Sequence, residues 1–205
     1  AALTSFGRAL MDGSPGATVS VMHVAGAALM VADNKKTKED LDKTLSKTIW
    51  GESSTTVLLE GIVDAAKKLE KSPSRRRAMI VVNLDGMPEN STVQPPKVMQ
   101  QVVASGASLW VVSYQNSLSM PTVAKAGQRG QNLDLVLSRA QGTGGVRLRV
   151  ADVKVLETAL LQIAAAVAGQ YEVTYTRPDG PLPVLLQMAQ VRSGVNLIYP
   201  QTPPK

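Results

Sequence analysis

Cysteine is absent from this sequence of 205 residues. That removes disulfides, thiolate metal sites and cysteine nucleophiles together, but leaves the compartment open, since exported proteins also lack cysteine. Histidine occurs once, at His23 within a strand-like stretch, so no catalytic triad can be drawn around it and edge or core packing is its expected role. Aromatic residues make up only 3%. The core must therefore rest on Val, Leu, Ile, Ala and Met, a mix suited to a buried parallel sheet covered by helices. No run approaches the roughly 18 apolar residues of a membrane-spanning helix. The chain opens on Ala1 without a start Met or a basic segment, so no signal peptide is expected and Ala1 reads as a trimmed end.

What is present suits one packed domain with a small appendage: 44% of residues are hydrophobic and 19% charged. The net charge is +6, but the 22 basic residues are scattered, and the one local cluster is Arg75-Arg76-Arg77 before an apolar run. Without stacking aromatics or a recognisable motif, that cluster reads as a solvated loop and no nucleic-acid partner is expected.

Along the chain, Leu3, Phe6 and Leu10 have helical spacing, stopped by Asp12-Gly13-Ser14-Pro15-Gly16. Strands are expected over 17–24 and 27–32. Thr37 and Asp40 resemble a capping box ahead of Leu41, Leu45 and Ile49. A second amphipathic helix runs through Leu58, Ile62, Ala65, Ala66 and Leu69. Residues 78–84 form an apolar run broken only by Asn83, short enough for a central parallel strand, and end at Asp85-Gly86. Pro95-Pro96 starts a helix that Gly106 ends. Leu109–Tyr114 is the next buried strand. Residues 121–131 read as loop, and Leu133, Val136, Leu137 and Ala140 suggest a short helix running into Gly142-Thr143-Gly144-Gly145. That glycine-rich segment lacks a Lys-Ser/Thr ending and precedes a strand, so it reads as a turn and not a phosphate cradle. A strand over 146–150 and a helix over 153–167 follow, and then two strands around Pro178-Asp179-Gly180-Pro181, a hairpin pattern. Met79, Met99 and Met188 are expected core filler. The alternation predicts an α/β fold: a doubly wound, mostly parallel sheet with a C-terminal antiparallel hairpin. The division expected is residues 1–168 for the α/β domain and 169–205 for the hairpin extension.

The order of these pieces resembles the von Willebrand factor type A family from its first helix onward. Val19–Val24 and its partner match the family's strand pair. Ser53-Ser54-Thr55-Thr56-Val57-Leu58-Leu59-Glu60-Gly61 looks like its threonine loop, and Ile80-Val81-Val82-Asn83-Leu84-Asp85-Gly86, with Glu89-Asn90-Ser91 behind, like its hydrophobic-Asp-Gly strand end. Residues 137–145 look like its Thr-Gly-Gly turn, and 170–178 with a hairpin resemble a bacterial branch, the von Willebrand factor A-related proteins.

The resemblance implies a protein-binding module for adhesion or interaction, not an enzyme, with a protein ligand, no membrane insertion, and a secreted, cell-surface or periplasmic location. It further implies Mg²⁺ at the carboxyl edge of the sheet, where hydroxyls and carboxylates leave one coordination place for a partner's carboxylate. Thr56 would be the threonine ligand, or Thr55 if the register slips by one, and Asp85 the aspartate. Plain structural roles compete: a turn residue for Asp85, a helix cap for Thr56. The family's first strand and its Asp-x-Ser-x-Ser loop have no counterpart here. The expectation is a gap or closed-up seam between the Asp85 strand and Val19–Val24, a native protein that continues upstream, and weak or absent Mg²⁺ binding by these residues alone. The alternative function is a structural domain of a larger assembly, with a degenerate metal site.

Overall fold

The computed structural model describes residues 2–48, 53–84, 88–114 and 127–171, with 179–180, 185, 187–188, 193 and 197–201 near the C-terminus. The elements are α1 (Ala2–Gly13), β1 (Val19–Val24), β2 (Ala28–Lys35), α2 (Lys38–Lys47), α3 (Leu58–Glu70), β3 (Ala78–Leu84), α4 (Pro95–Ser105), β4 (Ser108–Tyr114), α5 (Gly127–Ser138), β5 (Arg147–Val150) and α6 (Leu156–Ala168).

Strands β3, β4 and β5 form a parallel sheet with β4 at its centre; Ala78 faces Ser108, Leu84 faces Tyr114, and Val111 faces Arg147. Alternation along each strand sends side chains to both faces. Met79, Val81, Leu109 and Val111 pack under Leu59, Ile62, Val98, Val102, Val136 and Leu137 of α3, α4 and α5. On the other face Ile80, Val82, Trp110 and Val112 meet Phe6 of α1 and Leu160 and Ile163 of α6. With helices on both sides, β4 is apolar from Leu109 to Val112, and Leu109, Val111 and Val112 are fully buried. Each such side chain contributes about 1.5–3 kcal/mol relative to exposure.

Among the described residues strand β1 does not join this sheet, whereas the sequence pattern predicts a single, mostly parallel one. Among those residues it pairs only with β2, in a separate antiparallel ladder with irregular register around Val21. This pair buries its own cluster of Val19, Ala32, Leu41 and Leu45, against Leu3, Leu10 and Met11 of α1. Helix α1 therefore lies across both sheets. Helix α3 bridges them too: its Gly61 lies so close to Val24 of β1 that a Cβ would come within 2.6 Å of a Val24 methyl. Among the described residues no ladder joins β1 to β3.

Several local expectations hold. The Asp40 N–H donates to Thr37 Oγ1 at 3.2 Å, and Gly106 ends α4 at φ 66°, a left-handed value that costs glycine nothing. Two need correction. Helix α5 begins at Gly127, inside the segment read as loop; its apolar period starts only at Leu133, and packing of Leu133, Val136 and Leu137 carries the polar first turn along. Met188 is 41% exposed and not core filler. Met79 is buried and Met99 packs against the same core. The C-terminal hairpin and Ile49 fall largely or wholly outside the described residues. Pro200 does form an antiparallel bridge with Thr143, and the Gln201 N–H donates to Gly142 O at 3.0 Å.

Candidate functional site

Thr56 lies just before α3 and is 7% exposed. Its N–H donates to Pro88 O at 3.0 Å, and the Asn90 N–H donates to its carbonyl at 2.7 Å, forming a one-residue parallel bridge opposite Glu89. The Val57 N–H donates to Ala25 O at 2.9 Å, so the β1–β2 turn joins the same rim. The Thr55 N–H donates to Ser53 Oγ at 3.3 Å. Residues 88–91 follow the carboxyl end of β3, where open α/β sheets place their ligands.

Helix α3 has no cap of its own. Val57 occupies the N-cap position without a side-chain bond, and the orphan N–H groups of the first turn need acceptors. Glu89 and Ser91 provide them from across the rim. Glu89 Oε2 accepts the Leu58 N–H at 3.2 Å, Ser91 Oγ accepts the Leu59 N–H at 3.1 Å, and Glu89 Oε1 accepts the Ser91 N–H at 2.9 Å. A carboxylate here also complements the positive end of the helix dipole. Glu60 reciprocates: its Oε1 accepts the Thr92 N–H at 2.6 Å, the Thr92 hydroxyl at 3.1 Å and the Val93 N–H at 3.3 Å. Partial burial works against the Glu60 charge, but the neighbouring Ser91 hydroxyl, the Thr92 backbone and hydroxyl and its own backbone N–H hold its carboxyl below the ordinary value. The second oxygen, Glu60 Oε2, is buried without a hydrogen-bond partner among the described residues.

Of the sequence candidates, Thr56 is thus held against the segment that begins three residues after Asp85. Asp85 itself lies outside the described residues. The helix-cap role considered for Thr56 belongs instead to Glu89 and Ser91, a pairing at a separation of about thirty residues that no local motif announces. A divalent ion such as Mg²⁺ takes about six oxygen ligands. Of the two candidate ligands the described residues include Thr56 alone, while the Ser53 and Ser91 hydroxyls and both Glu89 oxygens accept backbone N–H groups. No group of three or more His, Cys, Asp or Glu suited to a metal exists among the described residues. Among the described residues, which do not include Asp85, the donor set does not make a complete Mg²⁺ site.

The other motifs have structural explanations. Thr143 Oγ1 accepts the Leu109 N–H at 2.8 Å and donates to Ala140 O at 2.7 Å. Beside it, a Cβ on Gly145 would lie 1.9 Å from Leu109 O, so this turn is pressed against β4. Arg77 is no solvated loop residue: it donates to the carbonyls of Ser74, Ser105 and Ser72 at 2.7–2.8 Å and ties the ends of α3 and α4 to β3. His23 is half-buried in β1, opposite Leu29. No helix among the described residues is long and apolar enough to cross a membrane.

No family model matches the sequence, and no curated protein sequence matches it. Solved structures do resemble the fold. A von Willebrand factor type A protein from Catenulispora acidiphila aligns at TM-score 0.57 and 14% identity, over 82% of this chain and 38% of that one. Proximal thread matrix protein 1 from the mussel byssus aligns at 0.59 and 15%, over 80% and 40%. The conserved hypothetical protein BatB from Bacteroides thetaiotaomicron aligns at 0.56 and 17%, over 82% and 87%. The chain thus spans about two fifths of the first two. Identities this low speak for architecture alone, and on that evidence the chain has a von Willebrand factor A-like α/β fold.

Proposed function

We propose that this chain is a protein-binding module, of adhesion or interaction type and without enzymatic activity, that engages a protein ligand at the rim formed by residues 53–57 and 88–91. One observation carries this reading: Thr56 is clamped by two backbone hydrogen bonds to Pro88 and Asn90, which fixes the threonine loop against the segment following Asp85. A rim preorganised in this way loses little conformational freedom on binding. In the intact protein Thr56 and Asp85 are proposed as two ligands of a Mg²⁺ ion whose remaining protein ligands these residues do not supply. The proposed location is secreted, cell-surface or periplasmic.

A second reading is favoured by the commitment of Glu89 to α3: the rim is a structural joint with a degenerate metal site, in a domain of a larger assembly. The likeness to a byssus matrix protein supports it. Titration with Mn²⁺, followed by electron paramagnetic resonance, separates the two. Saturable binding that Thr56→Ala and Asp85→Ala each weaken supports the metal-linked module. Binding that ignores both substitutions, or no binding by the intact protein, leaves the structural domain.

A further inference from the structure

We propose that the cavity between the end of β2 and the outer face of α2 binds a phosphate-bearing polyanion, such as a linear oligophosphate or a polyphosphorylated headgroup. The cavity, about 410 Å³, is lined by Lys35, Asp40, Lys43, Thr44, Lys47 and Thr48. That volume falls in the range of small-ligand sites, roughly 300–1,000 Å³. Residues 40, 43, 44 and 47 follow the spacing of one helical stripe, which Thr48 continues at the C-cap; it runs beside the stripe of Leu41 and Leu45 that buries α2. Lys35 reaches the same space from the strand.

The charges of this cavity are unbalanced. Lys38, Lys67 and Lys68 pair with Asp12, Asp64 and Asp33. Lys35, Lys43 and Lys47 make no ion pair with any described carboxylate, and the nearby Asp33 is already held by Lys68 at 2.5 Å. Three like charges around one depression repel, and Lys43 and Lys47 stand one turn apart, where like charges disfavour the helix. An anion relieves both effects. The hydroxyl hydrogens of Thr44 and Thr48 are directed to Asp40 O and Thr44 O at 2.7 and 2.9 Å, so they do not donate into the cavity. The donors left are ammonium groups. These act as point charges, without the planar fork by which arginine reads geometry. The site therefore selects for charge density over shape, which favours phosphates over a single carboxylate. Asp40, at the first turn of α2, stands about 10 Å along the axis from Lys47 and repels an anion toward the lysine end.

Sodium tripolyphosphate is the probe, titrated by calorimetry into the full chain, with circular dichroism checking that each variant folds. The expected result is saturable binding that Lys43→Ala and Lys47→Ala each weaken about two- to fivefold, the scale of one exposed ion pair, and that Asp40→Asn strengthens. Phosphatidylcholine vesicles doped with phosphatidylinositol bisphosphate identify the source. Retention on them without tripolyphosphate binding assigns the phosphates to a lipid surface. Tripolyphosphate binding without retention assigns them to a soluble ligand, and both together show that the headgroup phosphates suffice. Binding to neither probe, or binding indifferent to the two lysines, overturns the site.

Discussion

The Glu89 carboxylate accepts the N–H of Leu58, 31 residues earlier in the chain, at 3.2 Å. With Ser91 on Leu59 and Glu60 returning to Thr92 and Val93, two segments of separate origin cap one another. The start of α3 and the loop beyond β3 are therefore one mechanical unit, and Thr56 sits within it.

Glu89→Ala removes an acceptor from a buried helix start and should destabilise the fold by about 2 kcal/mol, the upper end for a lost cap. Ser91→Ala should cost about 1 kcal/mol. The double variant should deviate from the sum, because both residues serve one helix end and contact each other. Urea unfolding of the four-member cycle measures this. Strict additivity would mean that the two caps act independently.

Two glycines with positive φ or close contacts give a contrast. Gly145→Ala directs a methyl into the Leu109 carbonyl and should cost about 3 kcal/mol or more, since the obstacle is backbone of the central strand. Gly16 has φ 83° but nothing within 4 Å of a Cβ. Gly16→Ala should cost only about 1 kcal/mol, the penalty of a left-handed backbone. Thermal melts of the two variants rank them, and equal losses would contradict the close approach at Gly145.

The sequence reveals whatever depends on neighbours within one turn or one strand. The 78–84 run, the Thr37–Asp40 cap and the Gly106 stop all hold, because spacing and cap chemistry decide them locally. Relations across the chain are not written locally. Nothing near Glu89 announces that it caps a helix 31 residues upstream. Lys35 on a strand and Lys43 and Lys47 on a helix look scattered until α2 folds back on β2. The first turn of α5 lacks an apolar period and takes its helicity from packing further along. Thr56 was legible as a candidate from its loop; its clamp to Pro88 and Asn90 was not.

Glu60 links the rim to pH. Its carboxyl titrates below the ordinary glutamate value in the folded chain, so its charged form favours folding. That contribution is fully present above the unfolded value, about pH 4.3, and is lost as pH falls through the lower folded value. Glu60→Gln should therefore lower stability at neutral pH and lose its effect under strong acid. Urea midpoints of both proteins, followed from pH 7 downward, should converge; a gap that stays constant would remove the charge from the account.

The lack of pairing between β1 and β3 among the described residues makes the last prediction. Strand β4 has a hydrogen-bonded neighbour on each side, whereas among the described residues β3 pairs with β4 alone and β1 with β2 alone. Unpaired edge groups on apolar strands open readily and invite association. Burial follows the same order: Leu109, Val111 and Val112 are fully buried, while Ile80 and Val82 on β3 are only half-buried despite helices over that face. In amide hydrogen exchange on the 205-residue chain, β4 should be the most protected strand. The β3 amides that do not donate to β4 should exchange faster by orders of magnitude, and the chain should tend to aggregate. Protection along all of β3 equal to that of β4, in a well-behaved monomer, would mean that β1 and β3 are joined by pairing and that the two sheets are one.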